Sequence, residues 1–453
     1  MEDLMSKIVS LCKRRGFIYP GSDIYGGLAN TFDFGPLGVE LANNIKKSWW
    51  KRFVQDRDDM YGLDGGILMN PKIWEASGHT QGFIDVLVEC KKCHYRFRQD
   101  EIGNSKSKTL ISKCPKCGND QLTEPKKFVP MFKTFIGPVE NSSSMAYLRP
   151  ETAQAIFVNF KNIIDSFHPE IPFGIAQMGK AFRNEITLGN FIFRKLEFEQ
   201  MEIEYFIKEK DWEKYFEYWK KQMEEWFLGL GIKKKNIRWR EHGKDELSHY
   251  SKHTEDLEYN FPFGGFKELY GLAYRTDYDL KNHSEKSGKD LRYTDLETNE
   301  KFYPHVIEPS FGLERTMLAI FSEAYYEEEV RGEKRVVLRL KPELAPIKVA
   351  VFPLLANKPE LIKKARKVYE LLKPNFAATW DDRGNIGKRY YAQDEAGTVA
   401  SVTCDFQTLE DNTATLRDRD SMKQIRVKIA DLVEKIQKIL QGEKFLNLGK
   451  IVK

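Results

Sequence analysis

Two arginines, an aromatic ring and several carboxylates crowd the stretch IAQMGKAFRNEITLGNFIFRKLEFEQMEIEY, from Ile175 to Tyr205. Arginine forks onto phosphate oxygens, a ring stacks on a base, and carboxylates take amino groups or magnesium. Together these suit a purine nucleotide. A buried strand face is ordinarily Val, Ile or Leu, and unpaired charge there is costly. The stretch predicts two strands joined by a tight turn at Thr187-Leu188-Gly189-Asn190, because glycine and asparagine accept the backbone angles such turns need. Strand side chains alternate between faces. Arg183 and Glu185 then share one face of the first strand, and Arg194, Phe198 and Glu202 share one face of the second. A surface hairpin with ordinary cross-strand ion pairs would explain the same pattern.

A second constellation is HVIEPSFGLERTMLAIFSEAY. It predicts a short apolar strand delivering Glu308 and Ser310, close backbone approach at Gly312, then a helix with Arg315 in its first turn. Leu313, Met317, Ile320 and Ala324 form that helix's buried side. A cation in the first turn opposes the helix dipole and needs an anionic partner. Phosphates would serve, and so would a surface glutamate. Upstream, Arg149-Pro-Glu-Thr152 opens a helix with Glu151 near its N-terminus, where a carboxylate is favoured.

Four cysteines make the third constellation: Cys90 and Cys93, then Cys114 and Cys117. Two CxxC pairs at this separation suit one tetrahedral zinc, with Gly118 easing the second knuckle. With all four ligands from protein, the role would be structural. CKKCH by itself also fits haem c attachment, but the second pair and the lack of an export segment argue for zinc.

The elements that must hold these residues come from a chain of 453 residues, 41% hydrophobic and 31% charged. That length allows two to four domains, each with its own core. No run approaches the roughly 18 apolar residues of a membrane helix. The N-terminus reads as an amphipathic helix with early acidic residues, so neither a secretory nor a transit peptide is expected, and the protein reads as cytosolic. The basic surplus lies wholly beyond Lys341, where 21 Lys and Arg face 15 Asp and Glu, which points to a polyanion there. Lys388, Arg389, Arg417 and Arg419 are its expected phosphate contacts. Pro36 starts a helix whose Leu37, Leu41, Ile45, Trp49 and Phe53 make one apolar stripe. Periodicity does not distinguish core from interface. Lys208 to Phe261 reads as a tryptophan-rich helical insertion. From Pro346, strands and helices alternate as in a small α/β domain, ending in a helix over KQIRVKIADLVEKIQKIL.

FRNE followed by RxxxFxxxE, Arg194 to Glu202, resembles motif 2 of the class II aminoacyl-tRNA synthetases; FDFGPLG with its helix resembles motif 1, and GLER motif 3. RPETAQ, FEQMEIEY and EPS are similar to the homodimeric glycyl-tRNA synthetases, and the chain beyond Pro346 resembles the anticodon-binding domain they share with the histidyl, prolyl and threonyl enzymes. The resemblance spans nearly the whole chain. It implies an α+β fold: an antiparallel sheet flanked by helices over 1–345, with a zinc-ribbon-like insertion at 86–128 and a helical one at 208–261. An anticodon-binding domain would occupy 346–453. It also implies a homodimer through helix 36–54. The implied reaction joins glycine to ATP as glycyl-adenylate, with Mg²⁺, then transfers glycine to tRNA(Gly).

By the same resemblance, Arg183 holds the α-phosphate, Arg315 the far phosphates, Phe198 stacks on adenine and Glu185 reads its amino group. Asn184, Phe193, Arg194, Lys195, Leu196, Glu197, Glu268, Leu269, Gly312, Leu313 and Glu314 complete the ATP set. The glycine set is Arg98, Glu151, Phe198, Glu199, Gln200, Met201, Glu202, Glu308, Pro309, Ser310, Phe311 and Gly312, with Arg275 nearby. A sister synthetase is disfavoured by RPETAQ, FEQMEIEY and EPS. A non-catalytic relative, such as the DNA polymerase accessory subunit, could dispense with Arg183, Glu185 or Arg315, all present here. A nucleic-acid-binding zinc-ribbon module would leave most of the chain unexplained.

Overall fold

In the computed structural model, which describes residues 3–82, 85–98, 113–185, 189–295, 297–330 and 332–452, the stretch Glu197–Ile207 is an interior strand of a seven-stranded sheet. The strand order is Ile237–Glu241, His253–Phe261, Gly265–Thr276, His305–Gly312, Glu197–Ile207, Phe173–Phe182 and Met60–Leu63. Every pairing is antiparallel except the last. Alternation in Glu197–Ile207 sorts two environments. Met201, Ile203, Tyr205 and Ile207 enter a core shared with the helices Leu4–Arg15, Pro36–Trp50, Trp212–Gly229 and Leu313–Ala324. On the other face, Phe206 joins Phe173 and Ile175 beneath the helix Ala153–Phe167. Beyond that lid the same face turns polar. The register sets Gly271, Ser310, Glu202 and Gln177 in one row across four strands.

Three expectations change here. The first strand ends at Phe182 and the second begins at Glu197, so Arg183, Glu185 and Arg194 belong to a connecting loop, not to strand faces. That loop is closed by Arg183 N–H donating to the Leu196 carbonyl at 2.9 Å and carries a short turn, Phe191–Phe193. Thr187 and Leu188 lie outside the described residues. Lys208 to Phe261 is no helical insertion: one helix, Trp212–Gly229, packs on the sheet and two strands extend it. Phe216, Trp219, Met223, Trp226 and Phe227 recur at helical spacing and are buried. The predicted last helix begins only at Leu432, because Gln424–Lys428 is a strand with Ile425 and Val427 inward.

The apolar stripe of the second helix is also settled. Leu41, Ile45, Trp49 and Phe53 are 0% exposed within one chain, so the stripe is core and not a docking face. The opposite side, with Val39, is exposed.

A second sheet has the order Ala378–Trp380, Val349–Pro353, Ala400–Cys404, Thr413–Asp418, Gln424–Lys428 and Lys450–Ile451. Its first three strands are parallel and the rest antiparallel. The helices Pro359–Leu372 and Leu432–Leu440 bury Leu361, Ala365, Val368, Ile436 and Ile439 against it. Here the expected phosphate contacts fail. Arg389, Arg417 and Arg419 are buried, spent on the Pro353 carbonyl, on Asp394, and on the Gly397 and Leu340 carbonyls. Only Lys388 is exposed.

Candidate active site

The loop and the polar sheet face enclose a cleft lined by Arg183, Glu185, Phe193, Arg194, Lys195, Phe198, Gln200, Glu268, Leu269, Ser310, Gly312, Glu314 and Arg315, among others. Arg183 donates from Nε to the Pro150 carbonyl at 3.0 Å, and its guanidinium stands 5.5 Å from the Phe198 ring centre. Arg315 lies 4.6 Å over the Phe193 ring, donates to the Phe193 and Glu268 carbonyls, and pairs with Glu268 at 2.9 Å. Arg315 and Arg183 hold the Glu268 carboxyl below its ordinary range, Arg315 having the larger effect and burial opposing. Two guanidinium groups, an open aromatic face and an ionised carboxylate thus meet in one cleft. That set can grip phosphates, stack a base and take a magnesium that rides on the phosphates.

Next to it lies a pocket of buried carboxylates. Glu202 accepts from Thr152 Oγ1 at 2.5 Å, Gln200 Nε2 at 3.0 Å and Ser310 Oγ at 3.0 Å. Arg275, fully buried, donates to Asp279 at 2.8 and 3.0 Å and to Glu308 at 2.8 Å, and stacks 3.7 Å over Tyr250. Burial pushes Glu308, Glu202 and Glu204 above the usual carboxylate range, their mutual repulsion adding to it and Arg275 opposing. Glu151 goes the other way: burial would raise it, but His79, Arg275 and Gln154 bring it down. Such a pocket is short of positive charge. An ammonium group would supply it.

The main chain leading into Glu151 is anchored two residues earlier. Arg149, 2% exposed, donates from Nε to the Lys180 carbonyl and from Nη1 to Gly65, both at 2.7 Å. Its guanidinium runs over Gly179, where a Cβ would sit 2.2 Å from Nη2. Only glycine leaves that room.

The four cysteine sulfurs all lie within 4.8 Å of one another, with Cys90 to Cys117 and Cys93 to Cys114 both at 3.6 Å. Tetrahedral ligands about 2.3 Å from a zinc place their sulfurs about 3.8 Å apart. The donor set fits zinc. Cys90 follows the strand Asp85–Glu89, which pairs with Arg96–Arg98 and Lys126–Phe128, and Gly118 takes φ +71° at the second knuckle.

Strand alternation divides the expected site residues. Phe198, Gln200, Glu202, Glu308, Ser310 and Gly312 face the cleft and pocket, and Glu151 joins them from the neighbouring helix start. Glu197, Glu199 and Met201 turn their side chains away: Glu197 pairs with Lys180, Glu199 with Lys46, and Met201 is core. The Phe311 ring packs on Trp49 and Phe53, and Leu313 is core. Lys195 and Glu314 form a buried pair at 3.0 Å, and Glu314 caps the Glu199 N–H, so both brace the floor. Asn184 and Leu196 bond through main chain, to Pro130 and Asn30. The Arg98 side chain lies outside the described residues. Thr152, Gln154, Glu204, Tyr250 and Asp279 belong to the pocket network although their motifs did not single them out. Glu204 alone had a readable signal, two residues from Glu202 on a strand.

This fold and site define a class II aminoacyl-tRNA synthetase core. Residues 135–324 match the family described as the tRNA synthetase class II core domain (G, H, P, S and T), and residues 348–439 match the anticodon binding domain. The prolyl-tRNA synthetase from Cryptosporidium parvum, solved with halofuginone and AMPPNP, shares the fold, with a TM-score of 0.65 over 97% of this chain and 77% of that one at 15% identity. The glycine–tRNA ligase of Caldanaerobacter subterraneus subsp. tengcongensis is 52% identical over 452 residues, covering 95% of this chain and 97% of that protein. Those of Clostridium acetobutylicum and Thermobifida fusca are 53% and 50% identical, covering 95% and 97% of this chain and 97% and 99% of theirs. The chain belongs to the glycine–tRNA ligase family.

Proposed function

We infer that the protein joins glycine to ATP as glycyl-adenylate and passes the glycyl group to the 3′ end of tRNA(Gly). The observation that carries this reading is the adjacency of two sites on one sheet face: the arginine-bearing cleft and the carboxylate pocket, which share Gln200 and Ser310. In the first step a glycine carboxylate oxygen bonds to the α-phosphorus and the bond to the β-phosphate oxygen breaks, releasing pyrophosphate. In the second, a terminal ribose hydroxyl attacks the glycyl carbonyl and AMP leaves. Neither step needs a protein nucleophile. Positioning and charge stabilisation suffice. Arg183 would take the α-phosphate, Arg315 the far phosphates after sharing Glu268, and Phe198 and Glu185 the adenine. Glu268 would hold the Mg²⁺, which when bound offsets phosphate charge.

Glu151, Glu202 and Glu308 would hold the glycine ammonium, and Ser310 would crowd the α-carbon. No amino acid is smaller than glycine, so exclusion by size needs no editing site. We further propose that 1–345 is the catalytic unit and 346–453 reads the anticodon, that zinc on Cys90, Cys93, Cys114 and Cys117 is structural, and that the enzyme is a cytoplasmic homodimer. Among the described residues no helix is long and apolar enough to cross a membrane. Amino-acid-dependent ATP–pyrophosphate exchange tests the reading: glycine supports it and alanine and serine do not. Equal turnover of alanine would overturn the glycine assignment.

A further inference from the structure

We propose that His79 is a positioning residue of the glycine pocket, holding the Glu151 carboxylate in place against the substrate ammonium; this rests on assigning that pocket to glycine. His79 stands in WEASGH, 3% exposed, just past Gly78 with its φ of +79°. Its Nδ1 meets Ser77 Oγ at 2.8 Å and its Nε2 lies 3.2 Å from Glu151 Oε2. The ring is fixed edge-on against Trp74 at 5.4 Å, and His249 secures the same turn through the Ser77 carbonyl at 2.9 Å. The other carboxylate oxygen, Glu151 Oε1, accepts from Gln154 Nε2 at 3.1 Å. Gln154 is itself braced by Asp279 at 2.9 Å and His283 at 2.8 Å.

Both Glu151 oxygens are therefore held from behind by nitrogen, and each keeps a second lone pair for an ammonium N–H. The contrast within the pocket gives the contact its meaning. Glu202 and Glu308 are equally buried and resist ionisation, whereas Glu151 is held ionised, and His79 is the first group to offset its burial. A dehydrated ammonium requires at least one fully charged partner. Glu151 is that partner because His79 stands behind it.

The test is pyrophosphate exchange by the full-length chain with His79→Ala, His79→Leu and His79→Gln. Loss of a charge-assisted hydrogen bond to Glu151 should raise KM for glycine about ten-fold or more while KM for ATP moves less than about two-fold. His79→Gln, whose amide N–H can still reach the carboxylate, should recover most of the affinity. His79→Leu, of similar size but without a donor, should not, and carries the comparison if the alanine variant fails to fold. A parallel rise in both KM values, an unchanged KM for glycine, or a glutamine variant no better than leucine would overturn the role. Glu151→Gln tests the underlying assignment separately. An unchanged glycine KM there refutes the pocket, whereas a raised one beside an unaffected His79→Ala refutes His79 alone.

Discussion

Arg183, on the loop beside the cleft, and Glu204, on the strand beneath it, show how differently two ionisable side chains are treated. Arg183 is half-buried at the cleft, steadied by the Pro150 carbonyl and the Phe198 ring, and on the proposed function it is the α-phosphate contact. Arg183→Ala should leave the melting temperature near wild type but slow exchange about 10²–10³-fold, on the order of 3–4 kcal/mol for a contact made mainly in the transition state. Activity within a few-fold would remove the loop from the nucleotide floor. Glu204 is fully buried, and neither of its oxygens has a hydrogen-bond partner among the described residues. Burial, then the nearness of Glu308, raises its carboxyl well above the ordinary 4.5. The native state thus retains a proton that the unfolded chain releases. The resulting stability is fully present below about pH 4.5 and is lost as pH rises through the raised native value. Glu204→Gln mimics the protonated form and has no such loss. The melting temperature of the variant relative to wild type should therefore climb steadily as the buffer is taken from about pH 5 to pH 8. A constant difference across that series would mean that Glu204 is ionised in the native state.

At the scale of elements, legibility followed periodicity. The helices at Pro36–Trp50 and Leu313–Ala324 and the strand at His305–Gly312 stand where apolar spacing put them. At the hairpin tip sequence and structure part: period-two alternation continues through Arg183 and Glu185, while the ladder stops at Phe182. Nothing local marks that end. It is set by Arg183 N–H meeting Leu196 and by Leu196 meeting Asn30, contacts that only the tertiary fold creates. In Gln424–Lys428 the alternation of Ile425 and Val427 is masked in the sequence by the stronger helical pattern after it. The pocket divides in the same way. Glu202 and Glu308 could be found by motif, but Gln154, Asp279 and His79 become neighbours only across distant elements. The cysteine quartet was fully legible, since CxxC spacing is itself geometry. Purified under reducing conditions without chelator, the protein should carry one zinc per chain. Cys114→Ser should lose it and open the knuckle to proteolysis, read by elemental analysis and limited digestion. Metal-free wild type that stays protease-resistant would deny zinc its structural role.

At the scale of the molecule, buried arginines brace the C-terminal domain from within and, through Arg335 and Arg419, tie it to the chain that leaves the catalytic core. Arg335, on the hairpin that leaves the catalytic core, is 0% exposed and donates to Asp394 at 2.8 Å, as well as to Glu328 and the Arg419 carbonyl. Arg417 grips the same Asp394 with two bonds of 2.8 and 2.9 Å. One residue on, Glu395 receives Arg14 and Arg15 from the first helix at 3.0 and 2.5 Å. The helix Ile386–Ala396 is thus pinned to the core by charge, around a carboxylate that serves two guanidinium groups. Truncation near Pro346 would strip the cover from Leu338, Leu340 and Leu344, all buried, so it is a poor probe of anticodon reading. A point change is cleaner. Asp394→Asn leaves two buried cations with a neutral acceptor, and breaking such a network costs about 3–5 kcal/mol. On the proposed division, with adenylate formation on the catalytic sheet and anticodon reading on the second, exchange should fall modestly, whereas tRNA charging should fall much further. Replacing Arg335, Asp394 and Arg417 together by leucine or methionine should restore stability, because apolar packing commonly equals a buried ion network. If charging and exchange fall in equal proportion in Asp394→Asn, the junction sets stability alone and does not align the anticodon-binding domain with the active site.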